Sequence, residues 1–130
     1  MAPADDLRAL RAPLLALHKE VLATERRNLE RVHGALTGAQ FLQIVSDRLR
    51  YGWLVPFSEL ILALEDTLEA TDDDEAEIAT PAELLDRARD LLLPPKEATP
   101  FGRRYLSLMQ SEPALVMAHA AVAKLLREPA

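Results

Sequence analysis

Glu30 and His33 stand three residues apart in a charged stretch that ends at Gly34. That is the Glu-x-x-His spacing with which helical bundles hold di-metal centres. The same chemistry also requires a second Glu-x-x-His and two further inward-facing glutamates. No other Glu-x-x-His exists in the chain. On a helical wheel the apolar stripe is set by Leu7, Leu14, Val21, Leu22, Leu29 and Val32. Glu30 then points about 140° from the stripe centre and His33 about 80°. The glutamate faces water, and a metal centre is not expected.

The same wheel places His18 and Glu25 within about 20° of the stripe centre. Late in the chain, His119 shares a helical face with Leu115, Val122 and Leu126. Two histidines and a carboxylate thus fall on faces that ought to be apolar. A buried charge is costly unless it is paired and hydrogen-bonded, so each needs a partner. One reading is a satisfied polar layer, with Glu25 paired to a base such as Arg48 and the histidines bonded to each other or to the backbone. The other is a polar-lined pocket at His18, Glu25 and His119 that takes a small ligand or a single metal ion. His18 and Glu25 lie about 10.5 Å apart along a helix axis, so a group from another helix has to complete such a site.

Three of the six aromatic residues, Tyr51, Trp53 and Phe57, occur within the seven residues "YGWLVPF". They can anchor a corner between helices, or form an exposed patch that grips a partner. In the acidic run, Asp72, Asp74 and Glu83 match positions 1, 3 and 12 of a calcium-binding EF-hand loop. Ala76 at position 5 and Glu77 in place of the glycine at position 6 break that pattern, which leaves a solvated loop. The four glycines are scattered, so no phosphate-cradling loop exists, and no serine sits in a nucleophile elbow. Ser58 or Ser111 beside a core histidine is conceivable, but nothing in the spacing recommends it. No cofactor is expected.

The elements that must position these residues are helices. Leucine and alanine supply 46 of the 130 residues and isoleucine with valine only nine, the balance of a helical chain. A long first helix is predicted from about Asp5 to His33, bent or opened at Pro13 and stopped by Gly34. A second runs from Thr37 or Gly38 to about Arg50, and a third from Ser58 to Ala70. "TPAE", residues 80 to 83, combines a capping threonine, a first-position proline and a glutamate three after the cap, and opens a fourth helix. Two more pieces cover about 101–110 and 113–127. The prediction is a single all-α domain over residues 1–130, a compact bundle of about five to six helices with an up-and-down core.

The net charge of −6 has a local source. Six acids crowd into residues 69 to 77, and the 15 acids left among the 21 balance 15 bases. No broad basic surface follows, so nucleic acid is not an expected partner. Absence of cysteine excludes disulfides and thiolate chemistry. No apolar run approaches the roughly 20 residues that span a bilayer, and no secretory signal opens the chain, so a cytoplasmic location is expected.

Leu17-His18, Glu25-Arg26, Trp53 to Ser58 and Ala118-His119-Ala120 form a pattern. It resembles that of a small bacterial family of uncharacterised helical proteins. The resemblance spans most of the chain and implies a fold, with no established activity. The reading that results is a non-enzymatic interaction or regulatory module that forms a homodimer. Its alternatives are a ligand- or metal-binding bundle, and an enzyme with an acid–base site at the same three residues.

Overall fold

The computed structural model describes residues 2–70 and 78–127, so the candidate calcium positions Asp72 and Asp74 lie outside the described residues. Among the described residues every regular element is helical. The helices are α1 (Pro3–His33), α2 (Gly38–Val45), α3 (Arg48–Tyr51), a 3₁₀ turn (Gly52–Leu54), α4 (Val55–Glu69), α5 (Pro81–Leu92), α6 (Pro100–Ser111) and α7 (Pro113–Arg127). The protein is an all-α bundle built round α1, against which α4, α5, α6 and α7 pack.

α1 is long because little interrupts it. Leu7, Leu10, Leu14, Leu17 and Val21 recur at three- and four-residue steps and are all buried. Each contributes roughly 1.5 to 3 kcal/mol of apolar burial. Asp5 and Asp6 at its start and Arg31 and His33 at its end complement the helix dipole. Pro13 lies inside the helix without ending it. Gly34, with φ 82° and ψ −176°, takes a positive-φ extended conformation that a side chain would resist, and its N–H closes the helix onto the Glu30 carbonyl.

α4 runs antiparallel to α1. Arg11 meets Glu65 at 2.7 Å and His18 meets Ser58 at 3.1 Å, so a step of seven along one helix matches a step of seven back along the other. α7 begins where α1 ends, since Glu112 reaches both Arg27 and Arg31, and then runs back along it. Thr67 Oγ1 donates to the Ala79 carbonyl and ties the end of α4 to the approach to α5.

Two boundaries differ from the sequence expectation. The helix predicted from Thr37 to Arg50 breaks at Ser46–Asp47, where Ser46 Oγ bonds the Leu42 carbonyl and Asp47 caps the Leu49 amide. Short polar side chains that bond nearby backbone compete with the helix ladder. α4 starts at Val55 instead of Ser58, because Pro56 falls in the first turn, where a proline has no donor to lose. The Thr80–Glu83 capping box forms as its sequence predicts, and it engages the Glu83 carboxylate at the Thr80 amide.

Candidate functional site

The three polar residues on the apolar faces each find a separate partner. Glu25, 3% exposed, receives two hydrogen bonds on Oε1, from Arg104 Nε at 2.9 Å and Arg104 Nη2 at 2.6 Å. The base is therefore Arg104 of α6, whereas Arg48 is exposed on α3. The sequence could not choose between them, because the choice depends on which helix crosses α1 at Glu25. His18 Nε2 lies 3.1 Å from Ser58 Oγ, and its ring stands edge-on to Phe57. His119 Nδ1 lies 2.7 Å from the Tyr105 hydroxyl. Burial pushes the Tyr105 phenol up, so Tyr105 stays protonated.

The two histidines do not meet each other. They cap opposite ends of a row of rings, His18, Phe57, Phe101, Tyr105 and His119, with centroids 5.1, 5.8, 5.1 and 5.4 Å apart in turn. The row crosses α1, α4, α6 and α7, so three aromatic rings stand in succession between His18 and His119. Among the described residues, no group of three or more His, Asp or Glu side chains could hold a metal ion. Glu30 caps the end of α1 by accepting the Leu36 amide at 2.9 Å, and His33 is exposed. No carboxylate bonds His18 among the described residues, so the Ser58–His18 contact lacks the group that orients a catalytic base.

Burial lowers both histidine pKa values below the ordinary 6.5, and Arg127 adds to the effect at His119. The folded protein therefore binds fewer protons than the unfolded chain as pH falls below 6.5, and stability drops with it. Denaturation midpoints are expected to decline from pH 7 toward pH 5. His18→Gln and His119→Gln should each flatten that slope. An unchanged slope in both variants would show that the histidines do not carry it.

The aromatic trio divides. Tyr51 and Phe57 are buried, Phe57 with its ring on His18 of α1 and Phe101 of α6, and Tyr51 beside Trp53. Trp53 reaches the surface, half-buried against Phe101. Two open depressions beside it share Gly52, Trp53 and Pro100 in their walls. One, of about 500 Å³, has Leu60, Leu91 and Phe101 in its walls and Arg87 and Lys96 among its charges. The other, of about 460 Å³, is lined by Leu49, Arg50, Arg103, Arg104 and Ser107. Sequence reasoning missed this gathering of arginines. The one signal was Arg103-Arg104 itself: neighbours on a helix point about 100° apart, so one turns inward to Glu25 and the other faces out.

Compared with protein-family models, with curated proteins and with solved structures, the chain has no match. Among the described residues no helix is long and apolar enough to cross a membrane.

Proposed function

We propose that the protein is a non-catalytic interaction module, located in the cytoplasm, that pairs with a second copy of itself and presents the Trp53 face to a further protein. One observation carries this reading: large apolar side chains stand exposed outside the core, among them Val32 at 77%, Leu42 at 63% and Leu49 at 99%. α2 is rich in apolar residues yet buries only Phe41.

The arm formed by the end of α1 and α2 suits a second copy. In the register set by His18 and Ser58, the start of α4 at Val55 lies level with Val21. The last turns of α1 therefore extend past α4. The apolar stripe that continues through Leu29 to Val32 is left without the cover that α4 gives the rest, and a second copy can supply it. Sedimentation is expected to show a dimer at micromolar concentration. Leu42→Glu and Val32→Glu should each weaken it at least tenfold, since one buried aliphatic side chain is worth roughly 1.5 to 3 kcal/mol. A wild-type monomer at high micromolar concentration would remove the self-association.

A further inference from the structure

We infer that the Trp53 face takes an acidic, partly apolar segment of a partner protein, an inference that rests on the interaction reading above. The chain carries a net charge of −6, yet the depression beside Trp53 is lined by three arginines and no acid. Arg104 is engaged by Glu25 through its Nε and Nη2. Arg50 and Arg103 are exposed and make no ion pair among the described residues. A guanidinium presents its donors as a planar fork that matches a carboxylate, so two forks in one concavity, neither held in an ion pair among the described residues, select carboxylates. The α6 helix opens at the same place, at Pro100, and adds the positive end of its dipole.

The apolar half of the face decides between an acidic peptide and other anions. Leu49 is almost fully exposed at the arginine depression, and beyond Trp53 the larger cleft has Leu60, Leu91 and Phe101 in its walls. A small anion would fill one depression and leave this apolar surface wet. A nucleic acid strand would meet Glu59 and Asp90 in the larger cleft. An extended segment can lay carboxylates on Arg50 and Arg103 and set a leucine or phenylalanine across the Trp53 ring into the cleft.

Trp53 is the single tryptophan of the chain, so its emission reports on this face alone. The test titrates the intact protein with a short Glu/Asp-rich peptide carrying one leucine and one phenylalanine. Its counterpart has glutamine and asparagine in place of the acids. The acidic peptide is expected to give a saturable change in Trp53 emission that weakens with added salt, and the neutral one none. Arg50→Gln with Arg103→Gln should weaken binding about fivefold. Both side chains are on the surface, and the far-ultraviolet circular dichroism of the variant should match the wild type. Equal binding of the neutral peptide, no loss in the double variant, displacement by equimolar inorganic phosphate, or tighter binding of a single-stranded oligonucleotide would each overturn the inference. Absence of any peptide binding while sedimentation still shows the dimer would overturn it too, and would leave the self-association standing.

Discussion

Arg104→Ala is expected to destabilise the protein by about 3 to 5 kcal/mol, because it strands the Glu25 carboxylate inside the bundle. The reverse substitution should be milder, and the asymmetry is the informative part. Glu25 is 3% exposed, whereas the Arg104 side chain is 42% exposed. Once Glu25 becomes glutamine, the guanidinium can turn toward water, and the amide oxygen can still accept one of its N–H groups. Loss of the charge-assisted hydrogen bonds then accounts for about 1.5 to 3 kcal/mol. Urea denaturation of both single variants and of the double variant checks the order. The double variant should recover part of the Arg104→Ala loss, since no naked carboxylate remains. If Glu25→Gln proved as costly as Arg104→Ala, the guanidinium would be as confined as the carboxylate, and the pair would have to be reckoned as wholly buried.

Gly102→Ala should be the other severe change, about 2 to 3 kcal/mol, for a steric reason. Gly102 is buried in the first turns of α6, and a Cβ there would overlap the backbone of Lys96, its carbonyl oxygen first. That carbonyl cannot swing away cheaply, because it accepts hydrogen bonds from both the Thr99 amide and the Thr99 hydroxyl. The Lys96–Thr99 turn would have to shift as a unit and carry the rim of the larger Trp53 cleft with it. Gly52 is the control. A Cβ there meets nothing within 4 Å, and its φ of −57° suits any residue. Gly52→Ala should therefore be neutral or stabilise by about 0.4 to 1 kcal/mol. Thermal or urea melts of the two variants, made side by side, should move in opposite directions or differ by several degrees at the least.

These two sites also mark where sequence reasoning succeeds and stops. Glu25 was legible as a buried acid because the helical spacing of Leu14, Val21, Leu22 and Leu29 fixes the face on which it lies. Its partner was not, since Arg104 is 79 residues away and helical periodicity says nothing about which helix crosses where. Val32 fits the same stripe as Leu14, yet it is exposed, because a wheel records direction round the axis and not where the neighbouring helices end. The close approach of Gly102 to Lys96 leaves no trace in a pattern of polar and apolar residues. Capping was legible to the residue, since Thr80, Pro81 and Glu83 act within one turn and need no tertiary information. The division of Tyr51, Trp53 and Phe57 depended on how a corner folds, and composition alone could group the rings without aiming them.

The packing of α1 along α7 bears on how fast and in what order the chain can fold. Bundles whose neighbours in space are neighbours in sequence fold quickly, since each new helix docks on the one just formed. Among the described helices the longest, α1, is synthesised before the rest, and α7, which covers it most extensively, comes after them. On the ribosome α1 must wait with the face that α7 covers still open while the intervening chain emerges at about 5 to 20 residues per second. Closing so long a loop costs entropy before any contact between the two helices returns it. The protein should therefore refold more slowly than its helix content suggests, and its nascent chain should bind chaperones until α7 arrives.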